Sequence, residues 1–319
     1  MTFSGKTKNE LSRLEITNRC CAIAELSAII RMSGIIQING IKQISLSFTT
    51  ENAAIARRIF SIIKELYKVD IEVRVRRNTQ LKKNNNYLIA VTNKEVSREI
   101  IEELGFVEDQ YSLFAPNYSI PKEIVSKRCC KRSYIRGAFL GGGSVSNPEK
   151  SYHLEFVTSS KRHAEDLSDL INSFNLNSKI IVRNDNYVIY LKEANQISDL
   201  LNIIGGHQAL LTMENIRIVK DIRNNTNRIV NCETANLGKT IDASIRQIES
   251  IEYIDAVMGI NKLPDKLRDI AEIRLDNSDL SLKEIGELLD PPVGKSGVNH
   301  RFRKIEKIAE DLRLGKEIL

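Results

Sequence analysis

Six polar or basic residues crowd one stretch near the end of the chain: Asn299, His300, Arg301, Arg303, Lys304 and Lys307. They are interleaved with Val298, Phe302, Ile305 and Ile308, whose three- and four-residue spacing puts them on the inner face of a helix. Arginine suits the acceptor edge of guanine and asparagine that of adenine, while lysine more often holds phosphate. The chemistry on offer is the reading of base pairs. Ser281-Leu-Lys-Glu284, just upstream, is a capping box, and Leu282, Ile285, Leu288 and Leu289 follow it. That short helix stops at Asp290-Pro-Pro292, and Ser296 is expected to cap the second helix. A short helix, a turn and a basic second helix make a helix-turn-helix. Arg301, Asn299 and Arg303 are expected to contact bases, and Lys295, Ser296, His300 and Lys304 phosphates; Ser281 and Lys307 complete the DNA-binding set. The competing reading is a helical bundle with a solvated charged face. Acids and bases balance at twelve each from Lys262 onward, and the turn from Leu289 to Ser296 exceeds the usual three or four residues.

Other reactive residues are less promising. The doublets Cys20-Cys21 and Cys129-Cys130 lack Cys-x2-Cys spacing, and adjacent side chains point apart, so they are expected to be buried small hydrophobes with no metal. His153, His163, His207 and His300 form no spaced set, and no Gly-x-x-x-x-Gly-Lys loop occurs. No cofactor is expected.

The 319 residues suggest two domains, and 42% hydrophobic with 28% charged residues describes a globular chain. The longest run free of formal charge, Leu200 to Met213, is 14 residues, short of the roughly 20 that a membrane span needs. The N-terminus has no apolar leader, which places the protein in the cytoplasm with reduced thiols. A net charge of +6 permits a polyanionic partner, and the stretch Lys42 to Lys94 alone carries eleven basic against four acidic residues.

The chain also repeats itself. Arg19, Cys20, Cys21 and Gly34 recur as Arg128, Cys129, Cys130 and Gly143, at a constant offset of 109. Tyr87-Leu-Ile-Ala-Val91 is echoed by Tyr187-Val-Ile-Tyr-Leu191, and the halves end alike at Leu104-Gly105 and Ile204-Gly205. Within a half the hydrophobic periods give the order αββαββα. Ile71, Val73 and Val75 are expected to face a core, leaving Glu72, Arg74 and Arg76 outward, with the two arginines as candidate DNA contacts; Lys82 to Asn86 reads as a hairpin loop. Ala24, Ala28, Gly137 and Gly141 sit at four-residue spacing, so the two doublet helices are expected to pack closely. Farther on, Ile241, Ile245, Ile248, Ile251 and Ile254 form a helical stripe, while Asn224-Asn-Thr-Asn227 suggests a break.

Ile135-Arg-Gly-Ala-Phe-Leu-Gly-Gly-Gly-Ser144 resembles the motif helix of LAGLIDADG homing endonucleases, and Leu26-Ser-Ala-Ile-Ile-Arg-Met-Ser-Gly34 a weaker copy. The resemblance implies an α+β fold: two αββαββα repeats form a pseudo-twofold saddle, followed by an all-α helix-turn-helix domain. It also implies a metal-binding carboxylate one residue before each motif's final glycine. Those positions hold Ser33 and Gly142, so no catalytic residue is expected; Glu25, a turn or more away, is expected to be solvated or to cap. Lys6-Thr-Lys-Asn-Glu-Leu-Ser-Arg-Leu14, Arg223-Asn-Asn-Thr-Asn-Arg-Ile-Val-Asn-Cys-Glu-Thr-Ala-Asn-Leu237 and Gly294-Lys-Ser-Gly-Val-Asn-His-Arg-Phe-Arg-Lys304 extend the likeness, over nearly the whole chain, to the WhiA family of bacterial regulators. Gly294 stands where that family suggests Ser or Thr, which leaves the start of the second helix open.

The chain is thus expected to have four parts: repeats at 1–110 and 111–222, a linker with a connecting helix at 223–262, and the helix-turn-helix domain at 263–319. The family implies a non-enzymatic transcriptional regulator of cell division and chromosome segregation, and of sporulation where the host sporulates. Its partner would be double-stranded DNA, in a cytoplasmic, nucleoid-associated protein with no membrane contact. The alternative is a scaffold whose saddle binds a protein or small ligand, with DNA binding secondary.

Overall fold

The computed structural model describes residues 1–39, 43–77, 85–107 and 116–316, which divide into two units, Met1–Val219 and Lys220–Leu319. In the first unit α1 (Phe3–Leu11) precedes two repeats of seven elements. One repeat runs α2 (Arg19–Ser33), β1 (Gly34–Asn39), β2 (Gln43–Thr50), α3 (Ala53–Tyr67), β3 (Ile71–Arg77), β4 (Asn85–Val91) and α4 (Lys94–Glu103). Its counterpart runs α5 (Arg128–Gly142), β5 (Gly143–Val145), β6 (Leu154–Thr158), α6 (Lys161–Asn172), β7 (Lys179–Arg183), β8 (Asn186–Leu191) and α7 (Ala194–Ile204). The order αββαββα holds in both.

Local chemistry sets the boundaries. The side chains of Asn52, Asn93 and Ser160 accept backbone N–H groups at the starts of α3, α4 and α6, satisfying donors that the first turn orphans. After α4 and α7 the chain turns through Gly105 (φ +69°) and Gly205 (φ +93°), a left-handed backbone that a side chain would strain. The strands pair antiparallel in the orders β1-β2-β4-β3 and β5-β6-β8-β7. Strict alternation then buries Ile44, Leu46 and Phe48 of β2, and Leu154 and Phe156 of β6. Val73 and Val75 depart from the expected core position, being 46% and 56% exposed. Among the described residues their strand β3 lies at the sheet edge beside β4, and alternation fixes which way a side chain points, not whether anything covers it. Of the expected hairpin loop, Lys82 to Asn84 lie outside the described residues, while Asn85 and Asn86 begin β4.

The two motif helices α2 and α5 pack directly on each other, as their small residues require. A Cβ placed on Gly137 would stand 2.3 Å from the carbonyl oxygen of Glu25 and 3.0 Å from the Cβ of Ala28; one on Gly141 would stand 2.7 Å from the Cβ of Met32. Backbone cannot yield as a flexible side chain can. Gly137→Ala is therefore expected to destabilise the protein by about 2 kcal/mol, overpacking outweighing the gain in helix propensity. Gly238→Ala, with nothing within 4 Å of its Cβ, should stabilise it by about 1 kcal/mol. Urea unfolding of the two variants tests the pair of opposite signs; equal effects would remove close approach as the reason for Gly137.

The second unit begins within α8 (His207–Met258) and continues through a 3-10 turn (Ile260–Lys262), α9 (Asp265–Asp276), α10 (Leu282–Leu288) and α11 (Lys295–Arg313). Asn224 to Asn227 do not interrupt α8. Asparagine costs a helix only about 0.7 kcal/mol per residue, and no Gly or Pro adds to it here. Ile251 and Ile254 enter the core with Leu267, Ile270, Ile285, Val298, Phe302 and Ile305, whereas Ile241 and Ile245 of the expected stripe stay exposed. Arg274 is buried in this unit. It donates to Gln247 Oε1 at 3.1 Å and to the Leu280 carbonyl at 2.7 Å, with its guanidinium 5.4 Å from the Phe302 ring centroid. Among the described residues no helix is long and apolar enough to cross a membrane.

Candidate nucleic-acid interface

The capping box at Ser281 is complete: Ser281 Oγ accepts from Glu284 N at 3.4 Å, and Glu284 Oε2 accepts from Ser281 N at 2.8 Å. Hydrogen bonding from the Ser281 side chain and backbone holds the Glu284 carboxyl below the usual range. The Val293 N–H donates to the Gly286 carbonyl at 2.9 Å, closing the long turn against α10. A Cβ on Gly286 would stand 2.0 Å from the Val293 carbonyl oxygen, so the turn depends on that glycine. The start of α11 corrects the expectation. Gly294, not Ser296, is the N-cap, and no side chain satisfies the first-turn donors. Ser296 stands one residue inside the helix because Gly294 already adopts the extended N-cap conformation (φ −65°, ψ 157°).

With Val298, Phe302, Ile305 and Ala309 inward, helical periodicity puts Ser296, His300, Arg303 and Lys307 on the opposite side, all exposed. Lys295 and Lys304 are exposed on the flanks. Asn299 and Arg301 are half-buried, and Arg301 Nη1 donates to the Lys266 carbonyl of α9 at 3.4 Å. A cleft of about 220 Å³ adjoins the start of α11 and is lined by Lys239 and Gln247 of α8, Arg274, Ser281, Lys283 and Lys295, among others. Lys239 and Lys283 are not legible as site residues in the sequence. They are far apart along the chain, and only folding collects three lysines at the starts of α10 and α11; Lys283 has a carboxylate of Glu287 at 3.7 Å.

In the repeats, register places Arg74 and Arg76 on the sheet face turned away from Phe48 and Ile89, with Thr49 and Leu88. Both arginines are exposed, and Arg74 Nε donates to Glu72 Oε1 at 2.6 Å. The corresponding face of the second sheet carries Lys179, Arg183 and Glu155. Burial pushes the Glu155 carboxyl up, but hydrogen bonds from His153 and Arg183 outweigh it and hold the group low.

At the motif ends, Ser33 Oγ donates to the Ile29 carbonyl at 3.1 Å, and a Cβ on Gly142 would meet Met32 Cε at 2.4 Å and the Val157 carbonyl oxygen at 2.9 Å. A divalent metal of the homing-endonuclease kind does not fit: neither position offers a carboxylate oxygen, and Gly142 has no room for one. Glu25 is not solvated, nor does it cap. It is fully buried, held by Arg58 at 2.7 and 3.0 Å and by Arg136 at 2.8 Å. Of the cysteine doublets, Cys21 and Cys130 are buried as expected, whereas Cys20 is half-buried and Cys129 exposed. The close packing of α2 on α5 brings Cys20, Cys21, Cys129 and Cys130 together with all four Sγ atoms within 4.8 Å of one another. Spacing within one doublet gives no sign of this. Of the histidines, His163 is buried against Tyr134 and Thr158, and burial pushes its pKa down to about 3.

Three family models match the chain: a WhiA N-terminal LAGLIDADG-like domain at residues 19–107, a WhiA LAGLIDADG-like domain at 131–223, and a WhiA C-terminal HTH domain at 226–309. A protein of Alkaliphilus metalliredigens named "Probable cell division protein WhiA" is 57% identical over 318 residues, covering 100% of both chains. One of the same name from Clostridium botulinum is 54% identical over 315 residues, covering 99% of this chain and all of its own. The crystal structure of full-length DUF199/WhiA from Thermatoga maritima superposes with a TM-score of 0.60 at 28% identity, over 97% of this chain and 98% of that one. With two LAGLIDADG-like repeats lacking their acids and a helical C-terminal unit, the chain belongs to the WhiA family.

Proposed function

We propose that this chain is a non-enzymatic, sequence-reading regulator of transcription, nucleoid-associated in the cytoplasm, that acts on genes of cell division and chromosome segregation, and of sporulation where the host sporulates. The observation that carries the reading is the exposed row Ser296, His300, Arg303 and Lys307, opposite the buried face of a helix whose first-turn donors no side chain caps. Such an N-terminus attracts phosphate, and the outward row is the face that the helix turns to DNA. The names of its relatives support a role in cell division. Absence of a carboxylate at Ser33 and Gly142 argues against cleavage. In this reading Arg303, Arg301 and Asn299 contact base edges, Arg301 exchanging its bond to the Lys266 carbonyl for one to DNA. Lys295, Ser296, His300, Lys304, Lys307 and Ser281 lie along the backbone, and Arg74 and Arg76 offer a second contact on the first repeat. A four-part division into repeats, linker and helix-turn-helix domain fits these roles.

The test is a salt titration of full-length protein on genomic DNA fragments, with and without magnesium. Site-selective binding that weakens with salt and leaves DNA uncut is expected. Arg303→Ala and Arg301→Ala should each cost about 1–3 kcal/mol at the preferred site and little on random sequence. Magnesium-dependent cutting, or weak binding indifferent to both arginines, would sink the reading.

A further inference from the structure

We propose that Cys20, Cys21, Cys129 and Cys130 form a tetrathiolate site for one zinc-class divalent cation, which clasps the two repeats together. Four Sγ atoms around a tetrahedral zinc, at about 2.3 Å each, lie about 3.8 Å from one another. All four here lie within 4.8 Å, with Cys129 and Cys130 at 3.9 Å, so small side-chain rotations complete the shell. The set is closed, two ligands from each repeat, leaving no position for water; that is the pattern of a structural rather than a catalytic zinc.

A second observation points the same way. The doublets occupy the second and third positions of α2 and α5, and both helices begin without a side-chain cap. The positive ends of two helix dipoles thus lie beside the sulfurs, which favours thiolates. Four thiolates on a divalent cation leave a net charge of −2, which the positive ends of the two helices offset in part. Metal binding would release the thiol protons to solvent, with no change in oxidation state.

The experiment uses full-length protein, reduced and freed of metal, titrated with cobalt(II) as a spectroscopic probe. A thiolate-to-cobalt charge-transfer band and the red d–d bands of tetrahedral cobalt should saturate at one equivalent and be bleached by zinc. Cys129→Ser, at an exposed position that folding tolerates, should lose most of that intensity, whereas Cys232→Ser in α8 should match the parent. Elemental analysis of protein isolated without chelator should give one zinc per chain. Failure of cobalt to produce thiolate bands in the parent, or equal bands in Cys129→Ser, would overturn the proposal. So would iron in place of zinc, or a disulfide between the doublets in freshly isolated, alkylated protein.

Discussion

Glu25→Ala is expected to lower the unfolding free energy by about 3–5 kcal/mol, the usual cost of breaking a buried ion pair from one side. Glu25 is fully buried in α2, facing Arg58 of α3 and Arg136 of α5. Removing the carboxylate strands two guanidiniums. Among the described residues Arg58 then retains a bond to the Leu14 carbonyl, and Arg136 its bonds to Ser133 Oγ and the Ile204 carbonyl. Neutral carbonyls and hydroxyls do not compensate a buried positive charge. Combining Glu25→Ala with Arg58→Met should therefore recover part of the loss, because the second change removes a stranded charge and keeps apolar volume. Urea denaturation of the two single variants and the double variant measures the coupling. Additive losses would show that Glu25 matters for packing at the helix crossing and not for charge.

That ion-pair cluster shows where sequence reasoning ends. The repeat at offset 109 and the small residues of the motif helices lead directly to α2 packed on α5, because a backbone contact needs little beyond missing side chains. The partners of Glu25 are a different matter. Arg58 is 33 residues away and Arg136 is 111, and an isolated glutamate on an apolar helix carries no signal of which cations will surround it. The thiol cluster is hidden for a related reason: each doublet taken alone has the wrong spacing for a metal, and only the repeat relation ties one doublet to the other. Val73 and Val75 differ for another cause. Alternation assigns their face correctly, but an edge strand keeps its pattern whether or not a neighbour covers it. The helix-turn-helix is legible because its signals are local, and the displaced N-cap comes from the one position where the motif departs, Gly294.

Substituting Lys239, Lys283 and Lys295 together by alanine should weaken DNA binding by roughly 10²–10³-fold near 0.1 M salt and leave sequence preference intact. The three line one cleft beside the starts of α10 and α11, where a helix-turn-helix meets the sugar-phosphate backbone. Each phosphate contact contributes about 0.9 to the slope of log affinity against log salt, worth nearly tenfold at that concentration. Loss of all three should flatten the slope by about 2–3. The cognate and random fragments should weaken in parallel, because phosphate carries no sequence information. Arg303→Ala is expected to behave in the opposite way, collapsing the ratio between cognate and random DNA while leaving the slope nearly unchanged. Binding isotherms at four or five salt concentrations on both fragments separate the two behaviours. An unchanged slope in the triple variant would take the cleft out of the interface and leave α11 alone to hold the backbone.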